Sequence, residues 1–98
     1  MSTLHIEHKI LDFDLWKSAF DRFADLRLQA GVRSHRIQRP IDDPHDVIVE
    51  PDFDTTAEAH AFAEILRTRV WASQKNAPAL SGTPQTRLLE AIVDENSD

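Results

Sequence analysis

The sequence that decides the fold is Leu4-His5-Ile6-Glu7-His8-Lys9-Ile10, near the start of the chain. Leucine, isoleucine and His8 alternate in it with His5, Glu7 and Lys9. Successive side chains of a strand point to opposite faces, so this alternation predicts a strand over residues 4–10 with one apolar face. Such a face has to be covered by another layer of the fold.

An amphipathic helix is predicted directly after this strand. Asp12 or Asp14 can cap its amino end, and Gly31 offers a stop at its carboxyl end. Between them, aromatic residues recur at three- and four-residue spacing, which places them on one helix face. They are Phe13, Trp16, Phe20 and Phe23. We therefore expect one helix over residues 14–30 that buries an aromatic stripe.

The middle of the chain is predicted to form a hairpin. Residues 32–39 are extended up to Pro40, and residues 47–53 form the returning strand. The connecting sequence Asp42-Asp43-Pro44-His45 has turn chemistry, because proline presets φ and aspartate accepts hydrogen bonds from nearby backbone N–H groups. Pro51 lacks the N–H that a central strand needs, so we expect its end of the strand to lie at a sheet edge or a bulge.

The second half of the chain again predicts a helix followed by a strand. Thr55 and Glu58 form a capping-box pattern, and the apolar stripe after them is typical of a helix over residues 56–71. Residues 73–84 are predicted to be irregular, and residues 87–93 are predicted to form the last strand. The structure-breaking residues of the irregular stretch are Pro78, Gly82 and Pro84.

The resulting order, β-α-β-β-α-β, predicts a ferredoxin-like α+β domain with two helices on one face of a four-stranded antiparallel sheet. We assign residues 1–93 to this single domain and residues 94–98 to a polar tail. A chain of 98 residues buries a limited share of its surface, and its last predicted strand is apolar on both sides, at Leu88 and Leu89. We therefore expect a homodimer in which a second subunit covers the free sheet face, forming a dimeric α/β barrel.

Composition limits the classes of function. Eleven Lys and Arg against seventeen Asp and Glu leave a net charge of -6, which disfavours nucleic acid and anionic membrane surfaces. The absence of cysteine excludes disulfides, thiolate metal sites and cysteine nucleophiles. No signal-peptide pattern is present at the start, and no stretch approaches the ~18 apolar residues of a membrane span. We expect a cytoplasmic protein with no nucleic-acid or membrane partner.

Four stretches of the chain resemble a known family. They are His8-Lys9-Ile10-Leu11-Asp12-Phe13-Asp14-Leu15-Trp16-Lys17, Ala30-Gly31-Val32-Arg33, Arg39-Pro40-Ile41-Asp42-Asp43-Pro44-His45-Asp46-Val47 and Asp52-Phe53-Asp54-Thr55. In these the chain resembles small dimeric α/β-barrel proteins related to the antibiotic-biosynthesis monooxygenases, often labelled cyclases or proteins of unknown function. That superfamily includes cofactor-free oxygenases, haem-degrading enzymes, isomerases and members without known activity. The haem-degrading branch is the least similar, because no histidine follows His60, and we expect no cofactor.

Three residues are candidate catalytic groups. Trp71 ends the second predicted helix, where its indole could stack on an aromatic ligand or donate its N–H; the alternative is that it caps the core. His8 and His35 could move protons near neutral pH. The alternative for His8, which shares a face with apolar residues, is a hydrogen-bonded core histidine.

Three further residues are candidates for substrate binding. Arg39 and Arg87 could hold a carboxylate or phenolate, and Phe62 lies on the apolar stripe of the second helix. The alternative for the arginines of the second strand is pairing with acidic residues of neighbouring strands, namely Glu50, Asp52 and Glu90. We expect no metal site, because the spacing of the aspartates around Pro44 fits a turn.

These observations predict an apolar pocket between sheet and helices, closed by the loop over residues 73–85, that accepts a small hydrophobic or aromatic molecule. If the protein is catalytic, we expect a cofactor-independent monooxygenase or a cyclase-like enzyme. The alternative is a non-catalytic dimeric module that binds or regulates through the same pocket.

Overall fold

The computed structural model describes residues 1–92, and its elements follow the predicted order. They are β1 (Ser2–Ile10), α1 (Phe13–Arg22), α2 (Ala24–Gln29), β2 (Ser34–Gln38), β3 (Asp46–Phe53), α3 (Thr56–Ile65), a π-helical turn (Leu66–Val70) and β4 (Leu80–Glu90). The strands form one antiparallel sheet in the order β2-β3-β1-β4. This is the ferredoxin-like α+β fold that the sequence predicts. Val93 and the predicted tail over residues 94–98 lie outside the described residues.

β1 alternates as predicted and forms the centre of the sheet. Every even-numbered side chain from Ser2 to Ile10 is buried. β3 pairs with one edge of β1, placing Val47 opposite His8, and β4 pairs with the other edge. The buried side chains of β1 and β3 meet those of the helices in one core, which includes Leu4, Ile6, Ile10, Trp16, Val49, Phe53, Ala59 and Phe62.

The first helical segment is two helices rather than the single one predicted over residues 14–30. Asp12 caps α1 through its side chain, and the helix ends before Phe23, whose φ of -101° and ψ of 19° are not helical. Arg27 Nη1 donates to the carbonyl oxygen of Phe20 at 2.6 Å. The same carbonyl also accepts from the Phe23 N–H at 3.1 Å, so Arg27 adds a second donor to it at the break.

The predicted capping box at the start of α3 is confirmed. The Glu58 N–H donates to Thr55 Oγ1 at 3.1 Å, and the Thr55 N–H donates to Glu58 Oε1 at 3.2 Å. Gly31 packs against this box with a φ of 97°, and a Cβ at that position would lie 2.5 Å from Glu58 Oε2. Glycine is therefore favoured here by its backbone conformation, and a side chain would also displace the Glu58 carboxylate.

The prediction for Pro51 was wrong, because β3 is a central strand. Pro51 is buried and pairs with His35 of β2. On the other side, the ladder between β1 and β3 keeps one register but is interrupted between Thr3 and Ile6. The missing N–H of the proline falls in this gap, so neither a bulge nor a sheet edge is needed. The His5 ring bonds the Glu50 carboxylate at 2.7 Å across the same gap.

β4 begins at Leu80, earlier than the residue 87 predicted, so the irregular segment is shorter than expected. The register of β4 on β1 shifts at one place: Glu7 pairs with Gln85, whereas Lys9 pairs with Ser81. Residues 82–84 therefore stand opposite His8 alone. The glycine and proline that indicated a loop belong instead to a bulge, where Gly82 adopts a φ of 87°.

The sheet face away from the helices is more polar than the sequence predicted. Asp52 accepts hydrogen bonds from Arg36 Nη1 at 2.8 Å, from Ser34 Oγ at 2.9 Å and from the Thr3 hydroxyl. These donors, Arg36 above all, lower the pKa of Asp52 to about 2. Arg36 also lies 3.5 Å from Glu50, so the predicted alternative of pairing across strands is confirmed for Arg36.

Asp52→Asn should lower the free energy of unfolding at pH 7 by about 2 kcal/mol. The pKa of Asp52 is about 2 in the folded protein and 3.8 for an ordinary aspartate, and this difference measures how much the fold stabilises the ionised carboxylate. The folded-state pKa is the lower one. The stabilisation is therefore present above pH 3.8 and is lost as the pH falls through about 2. Urea unfolding at pH 7 and under acid conditions measures the difference between variant and wild type.

Asp54→Asn is the matched control, since Asp54 pairs with Arg33 at an exposed site and should change stability little. Equal losses in the two variants at pH 7 would contradict the special role of Asp52.

Candidate functional site

A cavity lies between the helices and the face of the sheet that they cover. Its empty space, including the open solvent at its mouth, is about 710 Å³. β1 and β3 form its floor, the helices form its sides, and the segment between the π-helical turn and β4 closes one end. The wall is almost entirely apolar or aromatic. Apart from the tryptophan indoles, its polar side chains are His8, Arg27 and Asn76.

His8 lies between two indoles. Its ring centroid is 6.2 Å from that of Trp16 and 6.3 Å from that of Trp71, with tilted planes in both cases. The bulge in β4 stands opposite His8 on one side of β1, and Val47 stands opposite it on the other. Bulges beside a functional residue commonly re-aim side chains or end regular pairing. The backbone is therefore irregular at the position where the cavity carries its one histidine.

The hydrogen bonding of His8 leaves one ring nitrogen available. Nδ1 lies 3.4 Å from the carbonyl oxygen of Lys9, which can only accept, so we assign the proton of the neutral ring to Nδ1. Nε2 then carries a lone pair, and no residue in the range 1–92 bonds it. Burial lowers the pKa of His8, outweighing the opposing effects of the Lys9 carbonyl and the Asp46 charge. His8 is therefore a neutral imidazole at pH 7 with a basic nitrogen to offer a ligand.

Trp71 reaches the cavity because the helix before it widens. Its N–H donates to the carbonyl oxygen of Leu66, five residues earlier, at 2.7 Å, which is the π-helical spacing. In a regular α-helix, a residue five positions on is rotated by about 140° from the first. The wider turn reduces this angle, and Leu66, Val70 and Trp71 all line the cavity. The helix predicted over residues 56–71 is thus confirmed in extent, but its last turn is specialised.

The structure brings three of the six predicted site residues together. His8, Trp71 and Phe62 all contribute to the cavity wall. Phe62 lies on α3, with its ring 5.6 Å from that of Phe53, so it also packs in the core.

The other three predicted site residues lie outside that wall. His35, on the edge strand β2, sits with its ring 5.4 Å from Phe20 and lines a separate groove on the surface. Arg39 lies with its guanidinium 5.2 Å from the centroid of the Phe13 ring. Arg87 pairs with His5 in the sheet, and so points away from the cavity.

Two cavity residues were not predicted as site residues, Arg27 and Asn76. Arg27 stacks on the ring of Phe20 at 3.6 Å and lies seven residues after it, a spacing that would put both on one face of the single helix predicted over residues 14–30. That spacing was the available signal. Asn76 Nδ2 donates to the carbonyl oxygen of Arg69 at 2.8 Å, which ties the closing segment to the π-helical turn. No sequence pattern marks Asn76, because its role depends on how the segment folds back.

The aspartate-rich segment forms a turn, as its chemistry predicts. Asp43 accepts from the His45 N–H at 2.9 Å and from Lys9 Nζ at 2.7 Å, and these donors lower its pKa. Within residues 1–92, no three His, Cys, Asp or Glu side chains are grouped so that they could hold a metal ion. Over the same range, every helix is too short or too polar to cross a membrane.

Comparison with known proteins identifies the class of fold. Neither a protein-family model nor a curated protein sequence matches this chain. Solved structures do match, among them a dimeric ferredoxin-like protein from an uncultured marine organism. It is 10% identical with a TM-score of 0.68, over 99% of this chain and 100% of that one.

Two other solved structures that share this fold carry oxygenase or monooxygenase names. SnoaB, a cofactor-independent oxygenase from Streptomyces nogalater, is 18% identical with a TM-score of 0.69, over 95% of this chain and 94% of its own. A candidate antibiotic biosynthesis monooxygenase from Deinococcus radiodurans is 12% identical with a TM-score of 0.72, over 100% and 99% of the two chains. At these identities the likeness is one of fold, and at that level it confirms the resemblance found in the sequence.

The tryptophan fluorescence of this protein should fall on acidification, and the fall should report the protonation of His8. A protonated imidazole quenches nearby indoles, and both tryptophans of the chain lie beside His8. Because burial lowers its pKa, the transition should lie below the ordinary value of 6.5. A fluorescence titration measures it. His8→Gln should abolish the transition and His35→Gln should retain it; persistence in His8→Gln would show that His8 does not titrate beside the indoles.

Proposed function

We propose that this protein binds a small aromatic molecule in the cavity and oxygenates it without a cofactor. The observation that carries this proposal is a neutral His8, with one free ring nitrogen, held between Trp16 and Trp71 in an otherwise apolar enclosure. The shared fold with a cofactor-independent oxygenase supports the reaction type.

The cavity wall favours a flat aromatic ligand. Trp16 stacks on Phe20 with centroids 5.0 Å apart, and the Trp71 ring lies 6.3 Å from that of His8. Aromatic side chains contribute large apolar contact areas and prefer offset or tilted ring neighbours. A fused aromatic ring between these walls would lie within reach of the His8 ring. Trp71, Phe62 and His8 are the predicted site residues that take part in this proposal.

The chemistry follows from the lone pair on His8. Nε2 would accept the proton of a phenol, and the resulting phenolate is electron-rich enough to reduce dioxygen. One phenol and one dioxygen then give one quinone and one water, so the substrate supplies every electron that dioxygen accepts. A histidine that is neutral at the pH at which the protein works suits such a proton transfer. The apolar wall would exclude bulk water from the intermediate.

A non-catalytic ligand-binding module is the second candidate. Neither the Arg27 guanidinium nor the Asn76 amide can act as a base, which leaves His8 as the single proton acceptor of the cavity wall. A cavity with one base and no acid partner also suits binding without turnover.

Oxygen uptake with 1-naphthol tests the catalytic proposal. His8→Gln should reduce the rate by about 100-fold, because loss of a general base costs at least that much. The wild-type rate should fall below pH 6.5, since burial lowers the pKa of His8 and only the neutral ring accepts a proton. His60→Gln, at an exposed position of α3, is the matched control and should leave the rate unchanged.

An undiminished rate in His8→Gln would remove His8 from the mechanism. Binding of 1-naphthol without oxygen uptake would favour the non-catalytic module.

We also propose that the protein is a homodimer held through the end of β4. Leu88 and Leu89 lie on opposite faces of this edge strand and are 42% and 41% exposed, and Ile92 beyond it is 80% exposed. An edge strand with exposed apolar side chains and unpaired backbone groups favours association with another chain. The dimeric ferredoxin-like protein of the same fold supports this arrangement.

Sedimentation velocity at micromolar concentration should therefore give a dimer, and Leu89→Asp should give a monomer by placing a charge in the contact. Ile41→Asp changes an exposed isoleucine in the hairpin loop and should remain dimeric. A monomeric wild type, or a dimeric Leu89→Asp, would contradict the proposed contact.

A further inference from the structure

A surface groove adjoins the cavity at Arg27. The groove lies between α2 and β2, and its wall comprises Ala24, Arg27, Leu28, Val32, Arg33, Ser34 and His35. Arg27 is the one residue that lines both the groove and the cavity. Its guanidinium therefore stands where an apolar enclosure meets an open, polar surface.

Most of the hydrogen-bond donors of Arg27 have no partner among residues 1–92. The guanidinium lies 3.6 Å from the Phe20 ring centroid, and Nη1 donates to the Phe20 carbonyl oxygen. An arginine has five N–H donors in a planar fork. Among residues 1–92, no carboxylate lies within 4.0 Å of it. The neighbouring Asp21 bonds Lys17 at 2.7 Å instead.

Three other arginines of the chain are neutralised by acidic partners. Arg33 pairs with Asp54, Arg36 with Asp52, and Arg67 with Glu64. All three lie on exposed surface, where an unpaired charge would cost little. The arginines with no acidic partner among residues 1–92 are Arg22, Arg27, Arg39, Arg69 and Arg87, and of these only Arg27 is half-buried. Burial lowers its pKa, so Arg27 occupies the least favourable of these sites for an unpaired cation. An anionic ligand would neutralise the positive charge of Arg27.

We propose that Arg27 binds a carboxylate of the ligand, so that the ligand is an aromatic acid with its ring in the cavity and its acid group at the groove. This inference rests on the proposed binding of an aromatic molecule in the cavity. A carboxylate fits the planar fork of a guanidinium with two parallel hydrogen bonds. The open groove lets such a group keep part of its water, whereas the apolar cavity alone would not accept a free anion.

His35 provides a reporter within the same groove. Its pKa is lowered by burial, and further by the positive charges of Arg27 and Lys17, with Asp21 opposing them. A carboxylate bound to Arg27 would offset that positive charge. His35 should then titrate at higher pH, and this change requires no mutation.

The test compares 2-naphthoate with its neutral isostere 2-naphthamide, with binding followed by tryptophan fluorescence. Wild-type protein should bind the acid about tenfold more tightly, the scale expected for a charge-assisted hydrogen bond. In Arg27→Gln the preference should disappear, while binding of the amide stays within a factor of about two. Arg67→Gln, which changes an exposed arginine outside both the groove and the cavity that Glu64 already neutralises, is the matched control and should keep the preference.

The outcomes separate this inference from the proposed function. Equal binding of both probes to wild type would overturn the role of Arg27 and leave the aromatic site standing. Binding of neither probe would overturn the aromatic site and the inference with it. The pKa of His35, measured by NMR titration, is an independent test of carboxylate binding at Arg27. Saturating 2-naphthoate should raise its pKa and 2-naphthamide should not, and an unchanged pKa with 2-naphthoate bound would overturn the inference.

Discussion

The pairing of β1 on both of its edges is the constraint on which the rest of this structure depends. β3 and β4 are each aligned against it, and β2 joins the sheet only through β3. The side chains of a strand alternate between faces, so a slip of one residue would exchange the two faces of β1 completely. It would expose Ile6 and remove His8 from the cavity. The strict alternation from Leu4 to Ile10 therefore fixes the fold and the position of the candidate base together.

The sheet departs from regularity on both sides of this strand, close to the cavity floor. The ladder to β3 is interrupted opposite Pro51, and the ladder to β4 is bulged opposite His8. Each departure follows from the residues that cause it, since proline lacks a ladder donor and Gly82 adopts a positive φ. A regular ladder would hold neighbouring side chains at fixed spacing. The bulge relaxes that spacing beside His8, where the wall has to accommodate two indoles and an open cavity.

Sequence patterns predicted the parts of this molecule that depend on local chemistry. Alternation located β1, the Thr55 and Glu58 pair located the start of α3, and the order of elements gave the sheet. His8 could be singled out because it is a polar side chain on the apolar face of a strand. Trp71 could be singled out because it is an amphipathic side chain at the end of an apolar helix face. The helix break at Phe23, the π-helical turn and the bulge were not predictable in this way. Each depends on contacts between residues that meet only after folding.

The same distinction explains why the charged residues of the candidate site were predicted poorly. Arg87 could not be assigned to a face, because the face depends on its register opposite His5, and Arg27 carried only a weak spacing signal. Several charged residues of the uncovered face have partners of opposite charge. On the uncovered face, Asp52, Arg36 and Glu50 satisfy one another, so their charges contribute to stability. On the helix-covered side, the His8 lone pair and the Arg27 guanidinium lack such charged partners among the described residues. A ligand could supply those partners, and this supports the candidate chemistry in the cavity and at its junction with the groove.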